Sequence, residues 1–142
     1  MSNESLAAPY TKFRPEIPPG HEPFWEALRR HELVMQRCDE CNAYRFIPSE
    51  LCPCGSLAAT WSPIAGTGEV YTFTVVHRAP TPAYQADVPY VIAHVTVDEG
   101  PRMISVLIGC DPANVRIGMR VQTMFDDVTP DFTLYKFEPT AD

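Results

Sequence analysis

Four cysteines in one short segment constrain the fold of this chain more than any other feature of its sequence. Cys38 and Cys41 are separated by two residues and Cys52 and Cys54 by one, with ten residues between the two pairs. Structural zinc takes four such ligands in a tetrahedron, and paired cysteines on two tight turns supply thiolates at the required separation. We therefore predict that these cysteines bind one structural zinc ion, in preference to being four unconnected core residues.

The second cysteine pair is one residue shorter than the knuckle that such sites normally use. Cys52 and Cys54 could still bind zinc, but the backbone N–H···S bonds that orient their sulfurs would have to differ, and a redox disulfide between them is an alternative. Gly55 allows the second turn a conformation that a side chain would hinder. No histidine or carboxylate completes an open site nearby, which argues against a catalytic metal.

The segment before the cysteines divides into an arm and a helix. Residues 1–21 are rich in proline and polar residues and are expected to form an extended arm. Residues 22–63 are expected to form a short helix and a rubredoxin-like zinc ribbon. The helix places Phe24, Trp25 and Leu28 at helical spacing. This aromatic face is expected to pack on its own domain, because exposed aromatic patches are uncommon on monomers, and the alternative is that it anchors a partner.

The remainder of the chain, residues 64–142, has the pattern of a small β-barrel. Five segments rich in β-branched and aromatic residues are separated by turn signals, with no long helical segment among them. The predicted strands are residues 69–78, 89–97, 102–108, 120–125 and 132–137. We predict a mainly β protein whose barrel has the oligonucleotide/oligosaccharide-binding (OB) fold. The sequence alone also permits a different five-stranded barrel or a sandwich.

The distribution of charge argues against a nucleic-acid role. The chain carries 11 basic and 18 acidic side chains, a net charge of −7. Residues 48–142 hold five of the basic and eleven of the acidic groups, so the barrel should repel a phosphodiester backbone. A coenzyme A pantetheine tail or a protein partner needs only a local basic patch. No segment resembles a signal peptide or has the apolar length to span a bilayer, and we expect a cytoplasmic protein.

Candidate catalytic groups are few. His77 and His94 fall on the first two predicted barrel strands and could be neighbours able to perform acid–base chemistry. Such histidines are more often half-buried strand residues with a hydrogen-bonded ring. Cys110 is expected to be a small buried apolar residue, because the sequence offers no base beside it. The sequence contains no phosphate-binding glycine loop, nucleophile elbow or catalytic carboxylate pair.

The connection between the first two barrel strands, residues 78–89, is long for a small barrel. Long loops commonly carry binding functions, and the prolines in this loop reduce the entropy lost when it orders against a ligand. Arg78 at its base could meet a phosphate or pair with Asp87. Tyr84 is a candidate contact residue, since aromatic side chains dominate protein interfaces.

Several segments, in order along the chain, resemble the DUF35 family. They are Phe24-Trp25 with Leu28, Gln36-Arg37-Cys38-Asp39-Glu40-Cys41, Phe46-x-Pro48, Cys52-Pro53-Cys54-Gly55-Ser56, Gly68-Glu69-Val70-Tyr71-Thr72-Phe73-Thr74-Val75-Val76-His77 and Val115-Arg116-Ile117-Gly118-Met119. The resemblance extends over about residues 22–138 and departs from the family only where one residue is missing between Cys52 and Cys54.

The resemblance implies a zinc-ribbon and OB-fold protein associated with acyl-CoA metabolism. Proteins of this kind partner thiolase-superfamily enzymes, including thiolases, acyltransferases and retro-aldolases, and some accompany hot-dog-fold enoyl-CoA hydratases. The family offers no catalytic residue to carry over to this chain, only the four metal cysteines.

We therefore expect a non-catalytic accessory subunit that docks on a thiolase-like enzyme, forms a hetero-oligomer with it and helps to form its acyl-CoA site. Phe24, Trp25, Arg78 and Tyr84 are the expected contacts with the partner or with coenzyme A. The alternative within the same family is a subunit of a hot-dog-fold enoyl-CoA hydratase, and two other classes of function also remain. One is a single-strand nucleic-acid-binding OB module. The other is an autonomous coenzyme A-dependent enzyme that uses His77, His94 or Cys110.

Overall fold

A computed structural model describes residues 10–141 of the chain. Residues 1–9 of the expected arm lie outside this range, and residues 10–21 contain no helix or strand. Among the described residues, no helix is long and apolar enough to cross a membrane.

The helix α1 spans Glu22–Arg29, as its apolar spacing predicts. Proline near its start is compatible with helix geometry, because the first turn leaves its N–H groups without intrahelical partners. Phe24, Ala27 and Leu28 form its buried face, which packs on the ribbon and on the last strand of the barrel. The buried face of the helix therefore packs within its own chain, as expected from the sequence.

The ribbon is a three-stranded antiparallel sheet. Its strands are β1 (Val34–Cys38), β2 (Tyr44–Arg45) and β3 (Ala59–Pro63), with β1 in the centre. Trp61, within the range expected for the ribbon, lies on β3 and pairs with Gln36 of β1. The central strand β1 therefore has backbone partners on both edges, as its N–H and C=O groups require.

The barrel contains the five strands expected from the sequence. They are β4 (Thr67–Val76), β5 (Tyr90–Val97), β6 (Arg102–Leu107), β7 (Arg120–Thr129) and β8 (Phe132–Pro139). They close in the order β4-β5-β6-β8-β7, and all pairings are antiparallel except that between β6 and β8. A closed barrel of five strands in this order is an OB fold, which rules out the sandwich that the sequence left open.

A single hydrophobic core runs through the helix, the ribbon and the barrel. Along β5, alternate side chains from Val91 to Val97 point inward and are buried, as the two-residue period of a strand requires. Phe24 and Leu28 of α1 and Met35 of β1 belong to the same buried cluster. The ribbon and the helix are therefore packed as continuations of the barrel interior.

The weakest join in the barrel lies between β6 and β8, where only Leu107 and Phe137 are paired. Two side chains extend this seam. The Ser105 hydroxyl donates to the Tyr135 carbonyl at 2.7 Å, and the Tyr135 phenol donates to the Ile104 carbonyl at 3.0 Å. Burial raises the pKa of Tyr135 to about 12, so the phenol remains protonated and keeps this donor.

The barrel closes at the start of β4, where Gly68 pairs with both Val97 and Val121. A Cβ atom at Gly68 would lie 2.3 Å from the Thr96 carbonyl oxygen, a contact that the strands could accept only by moving apart. Glycine is therefore required at this position by the close approach of β5 rather than by its backbone angles.

We predict that Gly68→Ala lowers the free energy of unfolding by about 1–3 kcal/mol, the range for overpacked sites. Thermal and denaturant unfolding of the zinc-loaded chain would measure the change. Thr74→Ala, at an exposed position of the same strand, is the control and should shift stability by about 0.5 kcal/mol or less. Equal stability of the two variants would show that β4 and β5 are farther apart than described.

An ion pair also joins the elements that meet where the barrel closes. Asp98 accepts hydrogen bonds from the Arg120 guanidinium at 2.8 and 2.9 Å and from the Thr67 hydroxyl at 2.6 Å. These three residues come from the β5–β6 turn, from β7 and from β4. The Arg120 and Thr67 hydrogen bonds lower the pKa of Asp98 to about 2.

Because the folded pKa of Asp98 lies below its unfolded value of about 3.9, its contribution to stability is present above pH 4 and is lost as the pH falls toward 2. We predict that Asp98→Asn lowers the free energy of unfolding at pH 7 by about 0.5–1 kcal/mol, the range for a half-exposed pair. The difference from wild type should disappear near pH 2. Denaturant titrations across this pH range, with the exposed Glu50→Gln as control, would test the prediction.

Candidate metal centre

The four cysteines of the ribbon converge on one point. Their sulfur atoms all lie within 4.8 Å of one another. The Cys38–Cys54 and Cys41–Cys52 sulfur pairs are each 3.6 Å apart, and none of the four forms a disulfide. Tetrahedral zinc, with Zn–S bonds of about 2.3 Å, separates its sulfurs by about 3.8 Å. The donor set and its spacing therefore fit a structural zinc ion.

The first knuckle is held by backbone hydrogen bonds around Cys38. The Cys38 N–H donates to the Ala43 carbonyl, the Asn42 N–H donates to the Cys38 carbonyl, and the Cys41 N–H donates to the Cys38 sulfur at 3.5 Å. Asn42 adopts a φ of 63°, in the left-handed region that asparagine tolerates better than most residues. The turn therefore aims both sulfurs to the same side.

The second knuckle repeats this backbone frame with one residue fewer. The Cys52 N–H donates to the Ser56 carbonyl, and the Gly55 N–H donates to the Cys52 carbonyl. Gly55, like Asn42, directly follows the second cysteine of its pair and has a positive φ, here 95°. The missing residue is therefore one between the two cysteines. Among the described residues, the second knuckle has no counterpart of the hydrogen bond from the Cys41 N–H to the Cys38 sulfur, and the short spacing predicts such a difference.

Local electrostatics favour thiolate at one of the buried positions. Backbone N–H groups of Cys41 and Glu40 donate to the Cys38 sulfur and lower its pKa to about 6. Cys38 and Cys52 are buried while Cys41 and Cys54 are exposed. The site therefore sits at the surface with two sulfurs on its inner side.

The predicted contact residues of the helix differ in exposure. Phe24 is buried and packs against the rings of Phe46 and Tyr135, with ring centroids 5.3 and 5.8 Å apart. Trp25 is half-buried and stacks on Phe132. Phe24 therefore offers little surface to a partner, whereas Trp25 is partly exposed, and the contact role of both residues stays a prediction.

The predicted contact residues of the long loop lie beside a cavity. Tyr84 closes a short 3-10 turn, Pro82–Tyr84, and lines a cavity of about 600 Å³ at one end of the β6–β8 seam. Asp87 pairs with Lys12 of the arm at 2.6 Å, so it is not the partner of Arg78. Arg78 is exposed and, among residues 10–141, has no ion-pair partner.

The candidate catalytic groups do not assemble. His94 lies on β5 opposite Thr72, whereas His77 falls beyond the end of β4. Cys110 is half-buried after β6, and its pKa is raised by burial and by Asp111. Within the described residues, no hydrogen bond or ion pair joins any two of His77, His94 and Cys110.

The sequence did not predict which groups hold the arm against the barrel. Lys12 lies 5.1 Å from the Tyr84 ring centroid, and Arg14 lies 4.5 Å from that of Phe132 and 3.5 Å from Asp131. The alternation of basic residues around Phe13 was the available signal. It indicates an extended segment with two side chains turned inward, but only the fold shows which groups receive them.

Two family models match the chain. The zinc ribbon matches at residues 25–58, described as "ChsH2, rubredoxin-like zinc ribbon domain", and the barrel matches at residues 61–126, described as "ChsH2, C-terminal OB-fold domain". Together they cover the ribbon and most of the barrel, which confirms both fold predictions and the zinc-ribbon prediction.

Similar proteins fall into two groups. A DUF35 domain-containing scaffold protein of Methanocaldococcus jannaschii is 35% identical, over 81% of this chain and 87% of that protein. A probable enoyl-CoA hydratase alpha subunit of Thermomonospora curvata is 39% identical over 90% of this chain. The chain spans only 40% of the length of that second relative.

A solved structure described as an "Ltp2-ChsH2(DUF35) aldolase" contains a chain of the same fold. The two chains superpose with a TM-score of 0.81 at 38% sequence identity, over 89% of this chain and 98% of the other. The match therefore includes the helix, the ribbon and the barrel together.

We predict that the chain purified without added metal contains about one equivalent of zinc. Cys38→Ala should lose the metal and unfold the ribbon, because β1 to β3 form a small sheet held together at the sulfurs. Cys110→Ala is the matched control and should retain full zinc. Elemental analysis and far-UV circular dichroism measure both effects, and a folded, metal-free wild-type chain would contradict the assignment.

Proposed function

The chain belongs to the DUF35 family, and we propose that it is a non-catalytic accessory subunit that docks on a thiolase-like enzyme acting on acyl-CoA. The partner would be a thiolase, an acyltransferase or a retro-aldolase, whose acyl-CoA site this chain helps to form or stabilise. The observation that carries the proposal is the similarity to the DUF35 chain of the Ltp2-ChsH2 aldolase over almost its whole length. The description of an archaeal relative as a scaffold protein points the same way.

The chemistry of the described residues supports a non-catalytic role. A nucleophile needs a base within hydrogen-bond reach, and His77, His94 and Cys110 have no such arrangement. Four cysteine ligands would fill the coordination sphere of zinc and leave no position for a substrate or an activated water. Zinc at this site would therefore cross-link the two knuckles and shape the ribbon, leaving bond-making to the partner.

The long loop provides the support for a role at an acyl-CoA site. Tyr84 and Asp87 of this loop border the cavity of about 600 Å³, which lies in the size range of small-molecule sites. Lys12 and Lys136, which also line it, are already paired with Asp87 and Asp126. A coenzyme phosphate would therefore be met by the exposed Arg78 rather than inside the cavity, and the cavity would take an uncharged portion of the ligand.

A second candidate function is supported by the names of other relatives. The relative from Thermomonospora curvata is described as an enoyl-CoA hydratase alpha subunit, so a hydratase subunit is the alternative partner. Both candidates place the chain beside an acyl-CoA enzyme. A nucleic-acid module has less support, because the barrel half carries a large excess of acidic groups.

We predict that co-expression with a thiolase-like subunit encoded beside this chain gives a complex that elutes as one species. Light scattering would give its mass, and acyl-CoA turnover would be measured for the complex and for each component. The partner should lose activity or solubility when expressed alone, and this chain alone should not turn over a thioester.

Arg78→Ala tests the coenzyme contact separately. It should raise the KM for the acyl-CoA substrate of the complex several-fold with kcat little changed, because it would remove a phosphate contact remote from the reacting carbon. Arg116→Ala, another exposed arginine of the barrel, is the control. Separate elution of two fully active, soluble proteins would rule out the proposed function.

A further inference from the structure

Two exposed apolar side chains line one surface cavity, and two more lie close in sequence to a residue of its lining. Ile47 of the ribbon is 66% exposed and Ile104 of β6 is 58% exposed, and both line a cavity of about 340 Å³. Pro15 of the arm lines it as well. Phe13 and Ile17, two residues on either side of Pro15, are 82% and 42% exposed.

The cavity lies where several parts of the fold meet. The arm, α1, the ribbon and the two strands of the β6–β8 seam all contribute, mainly through apolar side chains. Six of the lining residues are Pro15, Trp25, Phe46, Ile47, Ile104 and Tyr135. Clustering of exposed apolar groups around an apolar hollow is typical of an interaction site, whereas single exposed apolar residues are ordinary on any surface.

Exposed acidic residues neighbour the cavity lining in the sequence. Glu16, Glu22 and Glu26 are exposed, and each directly follows a residue that lines the cavity. Within residues 10–141, none of the three forms an ion pair. Lys136 is the basic residue of the lining with a full charge, and it is neutralised by Asp126 at 2.6 Å. Of the two arginines next to lining residues in the sequence, Arg14 is paired with Asp131 at 3.5 Å and Arg45 donates to the Ser49 carbonyl. Carboxylates without an ion pair are therefore in excess next to the lining.

We propose that this face, formed by Phe13, Ile17, Ile47 and Ile104 around the cavity, is the docking surface for a different protein. The occupant is an apolar side chain flanked by lysine or arginine on the partner. The inference rests on the proposed accessory role, and it adds the surface through which the chain engages its partner and the chemistry of the partner's contact.

The charge pattern also selects between partners. A second copy of this chain would bring the same glutamates to the interface, where like charges oppose association. A cationic rim on the partner would pair with them and speed association. The hollow has room for bulky side chains but not for a whole coenzyme, which distinguishes it from the larger cavity beside Tyr84.

The arm contributes a rigid part of this surface. Lys12 and Arg14 are both tied to the barrel by ion pairs and aromatic rings, and Phe13 between them points away. A side chain held outward on an anchored segment loses little entropy on binding. Phe13 is therefore positioned to insert into a pocket of the partner. The partner's own apolar side chain would enter the cavity nearby.

Photo-cross-linking of the full, zinc-loaded chain tests the proposal. p-Benzoylphenylalanine would replace Ile47, Ile104 or, as the control, Ile117, an isoleucine that is 70% exposed and lines neither cavity. The three proteins would be irradiated in cells that co-express the neighbouring thiolase-like subunit. Cross-linked peptides would then be identified by mass spectrometry.

Cross-links to the thiolase-like subunit at positions 47 and 104 but not 117, next to lysine or arginine of that subunit, support both this surface and the proposed function. The same pattern on a different, identified protein supports the surface and rejects the proposed partner. Cross-links only to a second copy of this chain, or none above the level at position 117, overturn the inference.

Affinity measurements with the purified partner provide an independent readout. Ile47→Arg should weaken binding by about tenfold or more, as for truncation of a buried anchor, while Ile117→Arg should not. Glu16→Gln with Glu26→Gln should slow association and reduce its dependence on salt. Unchanged affinity in Ile47→Arg, with zinc content and folding intact, contradicts the proposed surface.

Discussion

Convergence of four sulfur atoms is the constraint on which the N-terminal half of this protein depends. The ribbon has three short strands, and its few apolar residues are mostly shared with the helix and the barrel. A sheet of this size is marginal in water by itself. The two knuckles, joined through a metal, set the geometry of β1 and hence the place at which Met35 enters the common core.

The comparison of the two knuckles shows how a deletion inside a metal site is tolerated. In each turn, the hydrogen bonds join the first cysteine to the two residues that follow the second cysteine, and a left-handed residue directly follows the second cysteine. Among the described residues, the second knuckle shows no counterpart of the bond from the Cys41 N–H to the Cys38 sulfur. The shorter knuckle therefore keeps the backbone hydrogen bonds that position its sulfurs and lacks one hydrogen bond to a sulfur.

Much of the fold was predictable because its signals are local. The cysteine spacing predicts the ribbon, the apolar spacing predicts α1, and strand-like segments with turns between them predict all five barrel strands. The strand β3 has no such local signal, because it is defined by pairing with β1 rather than by its own sequence. Likewise, neither the different exposure of Phe24 and Trp25 nor the pairing of Asp87 with Lys12 can be deduced from sequence, because each is decided by which elements meet in three dimensions.

The single residue pair between β6 and β8 has a consequence for how the barrel responds to its surroundings. Both cavities lie along this seam and share Val106, Leu134 and Lys136 as walls. Because so few backbone groups join β6 and β8, the barrel should open most easily between these strands. Amide hydrogens beside the seam should therefore exchange with solvent sooner than those of β5. A ligand or partner side chain bound in either hollow would contact both strands of the seam and would therefore oppose its opening.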